Sequence, residues 1–197
     1  LAAVMILCAC STGAGDGKVT GELHLPECGV ETTEYDMGVT FFAASYFDNT
    51  LTIRLQSSGD NQSFTDGVHI LVRDLEDVGE RLGETLDVEV VPEIDEFVER
   101  GPDAGPPSTT AGSPARITLY LNDTCPGNRL AFTDGAGTLR FDHIYLPEEQ
   151  KRISGAFELR FIDPRYWESP EDPGPWASVD GEFDFNYTRG SPAQPFP

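Results

Sequence analysis

Val179-Asp180-Gly181-Glu182-Phe183-Asp184-Phe185-Asn186-Tyr187 alternates without a break. Val179, Gly181, Phe183, Phe185 and Tyr187 fall on one side of an extended chain, and Asp180, Glu182, Asp184 and Asn186 on the other. A period of two marks a strand that covers a core with one face and meets water with the other. Upstream, Ile153, Gly155, Phe157, Leu159 and Phe161 share a face, with Ser154, Glu158 and Arg160 opposite. Near the start, Val19, Gly21, Leu23 and Leu25 oppose Lys18, Thr20, Glu22 and His24. Each segment carries a Gly on its apolar face, which marks a bend, a bulge or backbone covered by a neighbouring aromatic. The three are therefore expected to share one curved sheet.

Weaker alternation extends outward from these strands. Leu51, Ile53 and Leu55 form one such series, Val68, Ile70 and Val72 a second, and Ile117, Leu119 and Leu121 a third; Leu139, Phe141 and Tyr145 continue less regularly. One short helix is predicted where Leu75, Val78 and Leu82 recur at i, i+3 and i+7, with Asp74 as cap and Gly83 as stop. Residues 101–114 have no apolar period and read as a mobile loop between two groups of strands. Residues 163–176 form a second long connection, rich in proline. The expected fold is all-β: an antiparallel β-sandwich, jelly-roll or immunoglobulin-like, with at most one short helix. The alternative is a partly open β-barrel.

Composition excludes several function classes. Lys and Arg number 13 against 34 Asp and Glu, a net charge of −21 over 197 residues. Such a field opposes binding to nucleic acid or to an anionic surface through a basic face. The densest acidity lies in residues 73–100, with eleven acidic and three basic side chains, and reads as a solvated coat. Hydrophobic residues at 39% are too many for an acidic disordered chain, so one domain with a real core is expected over residues 18–197.

Residues 1–9 are uncharged and apolar, and Cys10 follows at once. The run is too short to span a bilayer, which takes about 20 residues, but it suits the apolar region of a secretory signal. Leu7-Cys8-Ala9-Cys10 resembles the bacterial lipobox, and the opening is similar to that of lipoproteins of Gram-negative bacteria, myxobacteria included. The resemblance implies that residues 1–9 are the remnant of a signal peptide cut before Cys10. Cys10 would then carry diacylglycerol on its thiol and an acyl chain such as palmitate on its new amino group. Ser11 resembles the pattern of lipoproteins sent on to the outer membrane. Residues 10–17, small and Gly-rich, are expected to be a flexible tether, and the membrane becomes a partner through the lipid anchor.

Of four cysteines, this leaves Cys28 and Cys125 for the exported domain. Export to an oxidising compartment points to a Cys28–Cys125 disulfide; two free buried thiols are the alternative. Neither lies in a CxxC pair, so redox catalysis has no support.

Patterns for chemistry are sparse. His24, His69 and His143 stand alone along the chain, without HxH or HExxH spacing. No GxSxG or SxxK elbow occurs. No catalytic residue and no metal ligand is assigned. A structural calcium is the one ion considered, with Asp60-Asn61, Asn122-Asp123 and Asp134-Gly135 as its nearest local candidates. Tyr166, Trp167 and Trp176 lie in or at the end of the second connection, where exposed aromatics grip sugars or proteins by stacking and burial. The alternative is that they cover an open end of the core. The expected function is a non-catalytic envelope protein that binds an envelope protein or a glycan, or serves a structural role. A carbohydrate-binding module using the three aromatics is one alternative, and a hydrolase with a carboxylate pair is another.

Overall fold

The computed structural model describes residues 14–59, 64–88, 113–127, 130–133, 135–146, 151–163 and 174–187. In chain order the strands are β1 (Ala14–Leu25), β2 (Val30–Gly38), β3 (Phe41–Phe47), β4 (Thr50–Gln56), β5 (Asp66–Val72) and β6 (Thr85–Val88). After them come β7 (Ala115–Leu121), β8 (Ala131–Phe132), β9 (Ala136–His143), β10 (Arg152–Ile162) and β11 (Trp176–Asn186). A six-stranded sheet has the order β2-β1-β11-β10-β9-β6, and a five-stranded sheet the order β3-β4-β5-β7-β8. Every pairing is antiparallel. The two sheets are not closed into a barrel, so the fold is the expected sandwich.

The alternation seen in the sequence is what buries the core. Val19, Leu23 and Leu25 from β1, Ile153, Phe157, Leu159 and Phe161 from β10, and Val179, Phe183 and Phe185 from β11 are all nearly inaccessible to water. They meet Leu51, Ile53 and Leu55 from β4, Val68, Ile70 and Val72 from β5, and Ile117, Leu119 and Leu121 from β7. The three Gly-bearing strands are neighbours, β1 beside β11 beside β10, as expected. Their glycines make room for rings. Gly181 pairs with Phe157 and Gly155 with Phe183. A Cβ on Gly181 would stand 2.1 Å from Phe157 Cζ, and one on Gly155 would stand 3.1 Å from Phe183 Cζ. Each ring lies over the bare backbone of its partner, a large-beside-small arrangement that fills the face without overpacking it.

Irregularities bend this sheet. The register shifts between Leu23 and Leu25 against β2, and between Ser154 and Gly155 against β9; an extra residue on one strand bends it and increases its twist.

One helix is present among the described residues, α1 (Leu75–Glu80), where the apolar period predicted it. The Asp74 carboxylate accepts the backbone N–H of Asp77 at 3.0 Å and the Asn49 side-chain amide at 3.0 Å. These bonds, that to Asp77 foremost, hold Asp74 below its ordinary carboxylate range. Leu75 and Val78 are buried, and Gly83 follows at φ +82°. Leu82, the third residue of the period, lies beyond the helix and is exposed.

Two expectations about organisation are adjusted. β1 begins at Ala14, inside the stretch read as tether, because Ala14, Gly15, Asp16 and Gly17 pair with Asn186, Phe185, Asp184 and Phe183. The small residues there let Phe42 and Phe185 approach, since a Cβ on Gly17 would stand 3.1 Å from Phe42 Cε1 and one on Gly15 would stand 2.3 Å from Phe185 Cβ. Strands on both sides of the predicted 101–114 loop are interleaved, since β5 pairs with β7 and β6 with β9. It thus separates strands in sequence but not in space; residues 101–112 themselves lie outside the described set.

Candidate functional site

Strand register decides which outward side chains become neighbours on the six-stranded sheet. Thr20, Asp180, Glu158 and Thr138 line up across β1, β11, β10 and β9. The adjacent row is Lys18, Glu182, Ala156 and Arg140, extended by Thr85 of β6. Ala156 is the short member of its row, and longer side chains rise around it. The result is an open groove of about 360 Å³ on the outer face of the sheet, within the size range of small-ligand sites.

The groove is electrostatically mixed. Glu158 stands directly opposite Asp180, a like-charge pair that works against the sheet. Lys18 opposes Glu182 and lies 3.3 Å from Asp36. Arg140 contacts Asp142 at 3.0 Å. Beyond the groove, Arg152 and Asp184 form a two-pronged ion pair, with Nε 2.8 Å from Oδ1. That contact holds Asp184 below its usual range and Arg152 above its own.

Trp176 occupies the same outer face. It opens β11 and is paired with His24 of β1 and Ile162 of β10. The His24 and Trp176 rings are nearly parallel, 21° apart, with centroids separated by 5.9 Å. Both side chains are half-buried. Trp176 was expected at the end of a connection, and the structure makes it the first residue of a strand. Tyr166 and Trp167 lie outside the described residues, as does Cys10, the residue that the lipobox resemblance marks for lipidation.

The outer face of the five-stranded sheet is different. Arg54 and Gln56 of β4 point away from the core yet are each only 3% exposed. Gln56 donates from Nε2 to Thr65 Oγ1 at 2.7 Å, while its Oε1 has no hydrogen-bond partner among the described residues. Arg54, Gln56, Thr65, His69 and Tyr120 surround a pocket of about 10 Å³, roughly the room one water needs. Burial, and then the Arg54 cation beside it, pulls His69 down to about 4, so the imidazole is neutral at physiological pH.

At the end of the sandwich near Leu25, Cys28 is bonded to Cys125 with the Cα atoms 5.5 Å apart. Cys28 ends the 3-10 turn Pro26–Cys28 after β1, and Cys125 follows β7, so the bond ties one sheet to the other. The pairing expected from the cysteine count is the one formed. Asp123, a calcium candidate from sequence, donates its backbone N–H to Asp66 at 2.8 Å. Among the described residues no group of three or more His, Cys, Asp or Glu side chains is placed to hold a metal ion; Asp60, Asn61 and Asp134 lie outside them.

Lys18, Thr20, Glu158, Asp180 and Glu182 were read from sequence as outward positions, whereas Thr85, Thr138, Arg140 and Ala156 were not singled out, because alternation assigns a face but not the neighbours on it. Comparison with protein-family models, with curated proteins and with solved structures returns no match to this chain. Function is therefore argued from geometry.

Proposed function

We propose that this chain is an exported, lipid-anchored protein of the cell envelope that binds its ligand without transforming it. Its binding face is the outer face of the six-stranded sheet. The observation that carries export is the Cys28–Cys125 bond, since structural disulfides persist in oxidising compartments and are rare where glutathione and thioredoxin keep thiols reduced. Export agrees with the lipobox-like Leu7-Cys8-Ala9-Cys10 ahead of β1. In this reading Cys10 carries the acyl chains, and more than one buried chain gives stable attachment. The Ser11 pattern favours the outer membrane. Binding rather than catalysis is supported by the groove itself, an open surface whose carboxylates Glu158, Asp180 and Glu182 are all exposed to water.

The test is a Cys10→Ser substitution in cells fed a clickable palmitate analogue. Wild type is expected to be labelled and to sediment with outer membranes, and the variant to be unlabelled and released. A variant still labelled and sedimenting would refute the anchor.

Carbohydrate binding is the more specific form of this function. It is favoured by the Trp176–His24 pair, which shares its face with the polar groove. The hydrolase alternative rests on Glu158 opposite Asp180; catalysis by two carboxyls is favoured by a cleft that shields them from solvent, and these two stand on an open face.

A further inference from the structure

We infer that the small pocket in the five-stranded sheet is a built site for one water molecule, held by the side chain of Gln56. Strand register makes the pocket. Gly67 of β5 stands opposite Gln56 of β4 on one side and opposite Tyr120 of β7 on the other. Side chains directly opposite one another share a face of the sheet, so the bare glycine leaves a gap between two long neighbours. Arg54 and His69, themselves an opposed pair, stand two residues further along the same face. Thr65 closes the space beside Gln56.

An orphaned acceptor is the second observation. Gln56 is only 3% exposed, and its Nε2 donates to Thr65 Oγ1 at 2.7 Å. Its Oε1 is buried and accepts from no group among the described residues. Such atoms are rare in folded chains, because a buried amide oxygen loses its hydration and gains nothing in return. A donor seated in the pocket restores that bond.

Size and charge select the donor. The pocket holds about 10 Å³, and a single water needs about 10–15 Å³, so nothing larger than one water fits. A metal ion or an ammonium ion is repelled by the Arg54 guanidinium, which interacts electrostatically with both His69 and Tyr120. A halide would set its charge against the lone pairs of the Gln56 oxygen. Water meets both demands: it donates to Oε1, and its own lone pairs face the donors of the surrounding wall. Buried waters make about three hydrogen bonds on average, and Arg54, His69 and Tyr120 line the space from which the others come. The molecule thereby joins β4 to β5 and β7 at the one place on this face where Gly67 has no side chain to do so.

The test counts long-lived internal waters by oxygen-17 magnetic relaxation dispersion on the full chain and on a Gln56→Met variant, whose side chain keeps the length of glutamine and removes the amide oxygen. The wild-type dispersion is expected to exceed that of the variant by the amplitude of one water. Equal amplitudes in two folded proteins would overturn the inference. A crystal structure of the wild type, with a parallel bromide soak, decides the matter even if the variant does not fold. One peak of water density within hydrogen-bond distance of Gln56 Oε1 is expected, with no anomalous signal from bromide. A pocket without density, or a bromide peak in it, would each overturn the water site, the latter by assigning the pocket to an anion.

Discussion

The hydroxyl of Tyr35, in β2 of one sheet, donates to Oδ2 of Asp66, in β5 of the other, across 3.2 Å. Asp66 also accepts the backbone N–H groups of Asp123 at 2.8 Å and Thr124 at 3.1 Å, and the Thr124 hydroxyl. A carboxylate only 5% exposed thus holds the turn after β7 and the far sheet together. Burial, followed by the Asp66 charge, raises the Tyr35 phenol far above its ordinary range. Removing the carboxylate strands several buried donors, each worth about 1–3 kcal/mol of lost solvation. Asp66→Ala is expected to lower the unfolding free energy by about 3–5 kcal/mol, and Tyr35→Phe by about 1 kcal/mol. Urea titrations measure both, and equal effects would contradict a multi-donor node.

His69 predicts a pH dependence. Its pKa is about 4 in the folded chain against 6.5 for the free side chain. Between those values the unfolded chain binds the proton and the folded chain does not, so unfolding free energy rises with pH. The contribution is complete above about pH 6.5 and is lost as pH falls toward 4. His69→Gln should flatten this part of the profile. Urea unfolding of both proteins at pH 7 and pH 4.5 measures it, and parallel losses in the two would show that His69 contributes no slope.

Gly181 and Phe157 should behave as a unit. A methyl group at 181 would overlap the Phe157 ring, and overpacking of this kind costs about 1–3 kcal/mol. Gly181→Ala is expected to destabilise by that amount, and Phe157→Leu in the same chain to recover part of it. A thermal double-mutant cycle reads the coupling, which would be absent if the ring did not lie over the glycine.

The Cys28–Cys125 bond spans 97 residues of chain. Its loss in a Cys28→Ser, Cys125→Ser double variant is expected to cost about 2–5 kcal/mol. Dithiothreitol should lower the wild-type melting temperature toward that of the variant and leave the variant unchanged. A wild-type melt indifferent to reductant would contradict the bond.

Alternation is a local property, and it was legible. Val19 to Leu25, Ile153 to Phe161 and Val179 to Phe185 announced their faces, and Asp74 announced the start of a short helix, which ends at Glu80, before the Gly83 expected to stop it. Register depends on which strands meet, and no residue states it alone. That is why Lys18, Glu158 and Asp180 read as separate polar positions until β1, β11, β10 and β9 were set side by side. Arg54 and Gln56 were misleading in another way: they occupy outward positions in β4 yet are buried, and period-two reasoning assigns such positions to water. Trp176 was placed at a loop end by the prolines before it, whereas its pairing with His24 makes it part of the sheet.

β1 is twelve residues long and starts four residues after Cys10. If acyl chains hold Cys10, Ala14 is the end of β1 nearest the lipid tie in sequence, and Leu25 lies about 37 Å along the strand from it. The Cys28–Cys125 cross-link and Trp176 then lie by the opposite end of β1, and the groove residues Lys18 and Thr20 lie between the two ends.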